Sequence, residues 1–353
     1  METFNVVGVM SGTSLDGIDL AYVTFTKLNG TWQFDCHDAV TVSYPPNWKR
    51  KLQGLVGFSK DDLLDLDVEY TDFLAHIIVD FVERYPKGTI DMVCSHGHTA
   101  LHQPERGLTY QIGNLPEISK KIGLPVVCDF RIEDVALGGQ GAPLVPIGDQ
   151  LLFGSYDYCL NLGGFANVSM QVDGNRIAYD ICPVNIVLNH YMSKVGKEFD
   201  AGGVLAKSGD VDQELLKELN AIPFYGESYP KSLGLEWVNT EVYPRIDSCS
   251  IELPIILRTF VEHIAFQIGQ NLHGVSSQNI LVTGGGAHNQ FLMERIKSHA
   301  KPSVIIPETL IVDFKEAIVF GFLGVLKMQN EINCLKSVTG ARKDHSSGMI
   351  YYP

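Results

Sequence analysis

Three glycine-rich turns could carry chemistry, because each follows an apolar run typical of a β-strand. Glycine lets the backbone approach a ligand closely and adopt positive φ, and successive N–H groups in such turns form a cradle for an anion. We therefore predict that these turns bind phosphate groups, although any one of them alone is equally consistent with a tight hairpin. The residues assigned to this role are Gly12, Thr13, Ser14, Leu15, Asp16, Gly17, Ile18, Asp19, Gly163, Gly164, Asn167, Gly284, Gly285, Gly286 and Asn289.

The first turn also contains two carboxylates, Asp16 and Asp19. A carboxylate beside a phosphate repels it unless a divalent cation lies between them, and Mg²⁺ held mainly through water suits that arrangement. We predict that Asp16 is a magnesium ligand, whereas Asp19 is also consistent with an ordinary turn aspartate. Neither a P-loop pattern nor a Rossmann glycine pattern between strand and helix is present in the sequence, which argues against those two nucleotide sites.

A duplicated pattern of predicted strands positions these turns. In each half of the chain, three successive strands are predicted, with a glycine turn between the first two, and Asp173-Gly174 is a hairpin signal in the second half. The strands of the two triplets are predicted over 5–10, 18–25, 32–34, 159–162, 166–172 and 176–179. Further short strands are predicted over 92–94, 124–130, 279–283 and 303–306.

Helices are predicted between these strands. Ser59 and Asp62 form a capping signal before apolar residues at helical spacing, a second helix covers 253–272, and Asp313 with Glu316 is predicted to cap a third. Alternating strands and helices predict an α/β protein. We expect two domains, residues 1–130 and 131–353, with the last residues able to pack back on the first, and a ligand-binding cleft between them.

Composition excludes several classes of protein. Of the 353 residues, 45% are hydrophobic, and the net charge of −14 would repel nucleic acid and an anionic membrane. The longest apolar stretch, 317–326, is too short to span a bilayer. Seven cysteines without a C-x-x-C pair, and an N-terminus without a basic and apolar leader, predict a cytoplasmic protein with reduced thiols.

Several long motifs, in order along nearly the whole chain, resemble those of the anhydro-N-acetylmuramic acid kinases. The opening motif is Gly8-Val9-Met10-Ser11-Gly12-Thr13-Ser14-Leu15-Asp16-Gly17-Ile18-Asp19. The resemblance continues through 95–99, 111–113, 129–131, 138–144, 160–167, 284–289, 315–317 and 338–341. It implies two actin-like ATPase domains of duplicated β-β-β-α-β-α-β-α topology, ATP and Mg²⁺ as cofactors, and a homodimer. It also implies a reaction in which water opens the 1,6-anhydro ring and ATP phosphorylates O6, giving N-acetylmuramic acid 6-phosphate in cell-wall recycling.

Asp180 is the candidate general base that would deprotonate this water. It follows a predicted strand and matches the position of the family's catalytic aspartate, with Asn185 as a substrate ligand; capping the next helix is its alternative role. The chain departs from the family pattern here, since Ile181, Cys182 and Val184 replace a threonine and two glycines. We expect a bulkier, drier pocket wall, which puts the sugar fit in doubt.

Four more residues are assigned to the sugar. A guanidinium matches the lactyl carboxylate of the muramic sugar, so Arg131 is predicted to bind it unless it pairs with Glu133 or Asp134 instead. Glu316 matches a family glutamate near the sugar, and His96 and Thr99 belong to a motif that resembles the wall of the sugar pocket. His96, His98 and His102 also have spacing that a zinc site could use, which is the less favoured interpretation.

Two other function classes remain open from the sequence. The departure at 181–184 is consistent with a kinase for a related amino sugar that needs no ring opening. An Hsp70-like ATPase module, or a filament-forming relative of actin, would share the same fold. The chain has no extension for peptide binding, which argues against the Hsp70-like module.

Overall fold

The computed structural model describes residues 1–12, 15–272, 275 and 277–353, so that the predicted phosphate ligands Thr13 and Ser14 lie outside the described residues. The strands are β1 (Glu2–Ser11), β2 (Ile18–Leu28), β3 (Thr31–Val42), β4 (Met92–Gln103), β5 (Leu108–Ile112), β6 (Val126–Cys128), β7 (Tyr158–Leu162), β8 (Phe165–Val172), β9 (Asn175–Pro183), β10 (Asn279–Thr283), β11 (Ser303–Ile305) and β12 (Met349–Tyr351).

The α-helices are α1 (Pro46–Gln53), α2 (Lys60–Val82), α3 (Glu117–Ile122), α4 (Ile132–Ala136), α5 (Pro146–Leu151), α6 (Asn185–Ser193), α7 (Val204–Ser208), α8 (Gln213–Asn220), α9 (Leu235–Trp237), α10 (Tyr243–Asp247), α11 (Leu253–Asn271), α12 (Gln290–His299), α13 (Thr309–Met328) and α14 (Lys336–Thr339). Short 3₁₀ turns cover Leu55–Gly57, Pro104–Arg106, Ala201–Gly203, Pro223–Gly226 and Gly285–His288, and one π-helical turn covers Val238–Val242. No helix among the described residues combines the length and the apolar composition that crossing a bilayer requires.

The chain divides into two compact units. The first contains residues 1–153 and 314–353, and the second contains residues 154–313. This division differs from the boundary predicted at 130/131, because the segment after Arg131 is tied into the first unit. The buried carboxylate of Asp134 accepts hydrogen bonds from the Gly141 amide at 2.7 Å and from Thr339 Oγ1 at 2.7 Å. Strand β12 at the C-terminus pairs with β6 of the same unit.

The two units repeat one sheet topology. In the first, β1, β2 and β3 form an antiparallel meander, β4 and β6 lie parallel to β1, and the order is β12-β6-β4-β1-β2-β3 with β5 beside β4. In the second, β7, β8 and β9 form the meander, and the order is β11-β10-β7-β8-β9 with β10 and β11 parallel to β7. The predicted duplication of an α/β unit is confirmed.

Local signals in the sequence explain several of these elements. Helix α2 begins with a capping box in which Ser59 and Asp62 each accept the other's backbone amide, and its Tyr70, Leu74 and Ile78 are fully buried in the first core. The turn between β8 and β9 places Asp173 and Gly174 at φ values of 48° and 79°, the left-handed pair that a two-residue hairpin requires. Both the helix start and the hairpin were predicted.

Two departures from the predicted elements bear on candidate site residues. Helix α13 begins at Thr309, so that Asp313 lies inside the helix instead of capping it, and its carboxylate bonds the His288 imidazole. Strand β4 continues nine residues beyond the predicted Cys94, to Gln103, because it pairs with β5 after its parallel pairing with β1 and β6. The histidines of this region therefore lie within a strand.

Candidate active site

The turn after β1 joins the first two strands of the first unit. Leu15 has a left-handed φ of 59° and donates its amide to Gly12 O at 3.3 Å, while a side chain at Gly17 would collide with Thr41 and Val42 of β3. Asp16 is exposed, and its carboxylate bonds no residue that the structure describes. Asp19 accepts a hydrogen bond from Thr41 Oγ1 at 2.6 Å. This difference supports Asp16 as the carboxylate available to a cation and gives Asp19 a role in fixing the turn.

Glycine residues let strand β1, which precedes this turn, approach helix α13 closely. A Cβ on Gly8 of β1 would lie 1.9 Å from the Ala317 carbonyl oxygen and 3.0 Å from the Gly321 amide nitrogen. Strand and helix can therefore approach this closely only with glycine at position 8. The sequence motif contained Gly8, but its packing role became visible only when the helix was placed.

The two glycine turns of the second unit lie against each other. A Cβ on Gly284, whose φ is 85°, would lie 2.5 Å from Asn161 Oδ1, and one on Gly286 would lie 2.7 Å from the Leu162 side chain. The Asn185 amide donates to Leu162 O at 3.2 Å. Asn185, predicted as a sugar ligand, thus lies beside these glycine turns.

Other predicted phosphate ligands of the second unit have defined backbone roles. The carbonyl oxygens of Gly163 and Gly164 accept hydrogen bonds from the amides of Asn185 and Val184, at 3.3 and 2.8 Å. These bonds hold the turn against the start of α6. Asn289 caps α12, because its Oδ1 accepts the Leu292 amide at 3.0 Å. The cap uses only Oδ1 as an acceptor, so the Nδ2 hydrogens of Asn289 take no part in it.

Asp180 lies inside β9, directly opposite Asn167 of β8. The register shifts between Ala166 and Asn167, so that Ile181 forms a bulge, and bulges redirect the side chains beside them. Directly opposed residues share one face of a sheet with Cβ atoms about 5 Å apart, so Asn167 and Asp180 are neighbours.

The environment of Asp180 suits a general base. Its Oδ2 accepts the Leu233 amide at 2.8 Å, and its own amide donates to Lys231 O at 3.1 Å, which fixes the side chain against the loop before α9. Burial raises the pKa of Asp180, and the Leu233 hydrogen bond opposes this increase. The alternative helix-capping role is excluded, because α6 has Val184 at its N-cap and no side-chain cap.

The three residues that depart from the family pattern face the core. Ile181, Cys182 and Val184 are each 0% exposed and belong to the apolar core of the second unit. The expectation that these three side chains form a bulkier and drier pocket wall is therefore not supported, because all three are packed in this core. They line no surface that a sugar could touch.

In the first unit, a hydrogen bond joins Arg131 to His96, and the contacts of the imidazole define its tautomer. Arg131 Nε donates to His96 Nε2 at 2.8 Å, and its Nη1 donates to Gly141 O at 2.6 Å. His96 Nδ1 donates to Gly97 O at 2.8 Å, because a carbonyl only accepts. His96 is therefore neutral and protonated on Nδ1, and burial together with the Arg131 charge holds its pKa well below the usual value.

The Arg131 charge is not neutralised by direct contact. Among the described residues, no carboxylate lies within 4 Å of its guanidinium, so the alternative ion pair with Glu133 or Asp134 does not form. Glu316 of α13 is near enough for its charge to act on Arg131. Desolvation by the surrounding protein raises the pKa of Glu316, and the charge of Arg131 opposes this increase. Arg131 thus keeps an unpaired charge that suits an anionic ligand.

The histidines of β4 do not converge on a metal. His98 Nδ1 bonds Ser11 Oγ at 2.8 Å, whereas His102 Nδ1 bonds Thr109 Oγ1 at 3.1 Å, and His96 has the contacts given above. Among the described residues, these three form no convergent donor group. The less favoured zinc interpretation at these positions is therefore not supported. Thr99, predicted to bind the sugar, is half-buried and accepts a hydrogen bond from Gln111 Nε2 at 3.4 Å.

His98 belongs to a buried ring of hydroxyl groups. Ser11, Tyr44 and Tyr70 contact one another through their oxygens, with Tyr44 to Tyr70 at 2.6 Å and Tyr70 to Ser11 at 3.0 Å. If each hydroxyl donates to the next around the ring, His98 Nδ1–H supplies the remaining hydrogen bond to Ser11. Burial lowers the pKa of His98 to about 4, so the imidazole is neutral at neutral pH.

Asp129 is a site residue to which the sequence reasoning gave no role. It has a left-handed φ of 57°, rare for a residue with a side chain, and lies two residues before Arg131. Asn114 Nδ2 donates to Asp129 Oδ1 at 3.0 Å and to His96 O at 3.3 Å, which links Asp129 to the backbone of His96. Burial raises the pKa of Asp129 to about 6. Its place in the Asp129-Phe130-Arg131 motif was the signal available.

Comparison with known proteins gives one consistent result. The family model described as anhydro-N-acetylmuramic acid kinase matches residues 4–353. A protein of Aliivibrio fischeri with that name is 34% identical over 373 aligned residues, covering 98% of each chain. One from Saccharophagus degradans, with the same name, is 33% identical over 369 residues, again covering 98% of each. Among solved structures, the activator of 2-hydroxyisocaproyl-CoA dehydratase from Clostridium difficile covers 92% of this chain and 97% of its own, at 14% identity and a TM-score of 0.43, a likeness too distant to carry an argument.

Proposed function

Because the chain belongs to the anhydro-N-acetylmuramic acid kinase family, we propose that it converts 1,6-anhydro-N-acetylmuramic acid, ATP and water to N-acetylmuramic acid 6-phosphate and ADP. The reaction recycles a cell-wall sugar. The observation that carries this proposal is the environment of Asp180. It is a half-buried carboxylate with a raised pKa, oriented by a backbone amide and opposite Asn167 on the sheet.

The chemistry assigned to Asp180 is removal of one proton from a water molecule. The water oxygen bonds to the anomeric carbon C1, the C1–O6 bond breaks, and O6 takes the γ-phosphoryl group of ATP. ADP leaves, and the proton on Asp180 passes to solvent, so that one proton is released in each turnover. A base with a pKa nearer neutrality than ordinary aspartate is better matched to this step.

The glycine turns are the proposed phosphate sites. Their backbone amides would bind the oxygens of ATP without adding charge, and phosphoryl transfer depends mainly on positioning and charge neutralisation. Asp16 fits a magnesium site, since it is exposed and bonded to no described residue, and Mg²⁺ prefers carboxylate and water oxygens. The bound ion would neutralise the phosphate charge. Asp19 fixes the same turn through Thr41.

The sugar is assigned to Arg131, His96, Thr99 and Glu316 of the first unit. Arg131 would bind the lactyl carboxylate with the guanidinium hydrogens that His96 and Gly141 leave free. His96 accepts from Arg131 Nε and so fixes the plane of the guanidinium. Asn185, placed beside the glycine turns, is now proposed to act near the nucleotide.

The alternative of a sugar kinase without ring opening loses its motivation. It depended on Ile181, Cys182 and Val184 altering the sugar pocket, and all three are fully buried in the core. No observation favours an Hsp70-like module or an actin-like filament. We further propose a cytoplasmic location and a homodimer, the latter to be tested by analytical ultracentrifugation.

An ADP-release assay over a panel of amino sugars, with mass spectrometry of each product, tests the function. The anhydro sugar should give the fastest release, and its product should carry the mass of phosphate plus one water. In ¹⁸O-labelled water, the label should enter the C1 hydroxyl. A product that carries phosphate without the added water, or activity confined to sugars that lack the anhydro bridge, would contradict the proposal.

A further inference from the structure

Three metal-binding side chains converge in the first unit, apart from the site described above. The carboxylate of Asp134, the thiol of Cys334 and the imidazole of His345 have donor atoms within 4.8 Å of one another. All three residues are buried, at 0%, 2% and 5% exposure. A buried carboxylate, thiol and imidazole need partners that offset the loss of water.

The contacts of His345 show which ring nitrogen carries the hydrogen. Its Nδ1 lies 3.1 Å from Lys343 O, and a carbonyl only accepts, so Nδ1 carries a hydrogen. In the neutral ring, Nε2 then presents a lone pair. Nε2 is buried without a hydrogen-bond partner and lies 3.5 Å from Asp134 Oδ1. Two electron-pair donors therefore face each other in a site closed to solvent, which is unfavourable unless a cation or a proton lies between them.

The backbone holds these ligands in place. Cys334 and His345 are directly paired across an isolated antiparallel bridge, through Cys334 N to His345 O at 3.0 Å and His345 N to Cys334 O at 3.2 Å. Directly paired residues project their side chains from one face. The fully buried Asn333 secures the bridge, since its amide donates to Leu323 O and Ser347 O.

The hydrogen bonds that these side chains make to neighbouring groups are typical of metal ligands. A histidine bound to zinc commonly donates its other ring N–H to a carbonyl, and a ligating carboxylate is itself hydrogen-bonded. His345 donates to Lys343 O, and Asp134 accepts from Thr339 Oγ1 and from the Gly141 amide. The ligands and the contacts that orient them are therefore both present.

We propose that Asp134, Cys334 and His345 form a structural site for a Zn²⁺ ion, with water as the fourth ligand. Zinc accepts nitrogen, sulfur and oxygen donors in one site, and donor atoms around one tetrahedral zinc lie about 3.5 Å apart, so these side chains need to close by about 1 Å. With the thiolate and carboxylate, the ion gives a neutral cluster. The ion would fix the C-terminal segment to α4 and, through Asp134 and Gly141, to the loop that contacts Arg131.

The test is metal content of untagged protein, loaded with Zn²⁺ and then desalted into metal-free buffer. Wild-type protein should retain about one zinc per chain. Cys334→Ser and His345→Gln should lose it, whereas Cys249→Ser and His190→Gln, which alter a half-buried thiol and imidazole of the second unit, should retain it. Thr339→Val removes the 2.7 Å hydrogen bond to Asp134, together with 3.4 Å contacts to Leu335 O and the Ala341 amide, and should weaken zinc affinity about 10- to 100-fold.

Replacement of zinc by Co²⁺ gives a second readout that needs no variant to fold. The wild-type cobalt protein should show thiolate-to-cobalt charge transfer and the intense visible bands of tetrahedral cobalt. Absence of the thiolate band, no retained zinc, or zinc that survives both ligand substitutions would each overturn the proposal. The three side chains would then lie together without a metal.

Discussion

Asn167 lies directly opposite Asp180 across the antiparallel pair of β8 and β9, beside the bulge at Ile181. This relationship places an amide next to the carboxylate that we propose as general base. The bulge turns Ile181 and Cys182 into the core while Asp180 stays half-buried and bonded to the Leu233 amide. A position in the middle of a hairpin is thereby able to hold a catalytic group in one orientation.

The pH dependence of the reaction should report Asp180. Burial raises its pKa, and the base must be ionised, so kcat/KM for the anhydro sugar should fall as the pH decreases through a value above the ordinary aspartate pKa of about 3.9. The measurement is a pH profile of kcat/KM. Asp129→Asn is the control, since Asp129 also has a raised pKa but has no assigned part in the proton transfer, and Asn114 connects it to His96. An acid limb that moves in Asp129→Asn would assign it to that residue instead.

Replacing Arg131 should weaken sugar binding selectively. Arg131→Met removes the charge assigned to the lactyl carboxylate, and hydrogen bonds to charged groups contribute about 1.5–3 kcal/mol, so KM for the anhydro sugar should rise about 10- to 100-fold. KM for ATP should stay unchanged. Arg106→Met, which alters an exposed arginine that contacts Gln103, is the matched control. Equal effects on a sugar that lacks the lactyl group would contradict the assignment.

An ion network in the second unit should contribute to the dependence of stability on acid pH. Glu262 accepts hydrogen bonds from Arg258, Arg295 and His299, which lower its pKa to about 2. Since its folded-state pKa is depressed, its contribution is complete above the unfolded value near 4.5 and is lost as the pH falls towards 2.

Urea unfolding of Glu262→Gln should therefore show a loss of about 3 kcal/mol at pH 7 that shrinks at acid pH. Glu294→Gln, which removes an exposed ion pair with Lys207, should cost less than about 1 kcal/mol. Equal losses of unfolding free energy in the two variants would show that the network stabilises the protein no more than an exposed ion pair does.

Gly8 should tolerate no side chain. An added Cβ would lie 1.9 Å from the Ala317 carbonyl oxygen, so Gly8→Ala should destabilise the first unit by about 2–3 kcal/mol through displacement of α13. At Gly226 a Cβ meets nothing within 4 Å, and Gly226→Ala should leave the midpoint of thermal unfolding unchanged or slightly raised. Similar midpoints for both variants would mean that β1 and α13 separate readily.

Local patterns made much of the fold predictable. The capping box of Ser59 and Asp62, the Asp173-Gly174 turn and the repeated strand triplets each act over a few residues, so the sequence displays them directly. The same logic was wrong for Asp313, because its capping pattern is overridden by an earlier helix start at Thr309 and by contact with His288.

Features that depend on distant contacts were not predictable. The burial of Ile181 next to Cys182 accompanies a bulge that only the pairing with β8 creates, and Val184 is buried at the start of α6. The left-handed backbone of Asp129 is held by Asn114, fifteen residues away in sequence. Cys334 and His345 meet Asp134 across about 200 residues of chain, a separation at which spacing carries no signal.

The most direct measurement compares kcat of Asp180→Asn with that of Asp173→Asn, a change in the turn of the same hairpin. Asparagine can still accept the Leu233 amide but cannot take a proton from water, so kcat of Asp180→Asn should fall about 10²- to 10⁴-fold. Its thermal midpoint should be unchanged or higher, because a half-buried carboxylate has been neutralised, and Asp173→Asn should match the wild type in both measurements. Full turnover of the anhydro sugar by Asp180→Asn would contradict the proposal that this carboxylate activates the water.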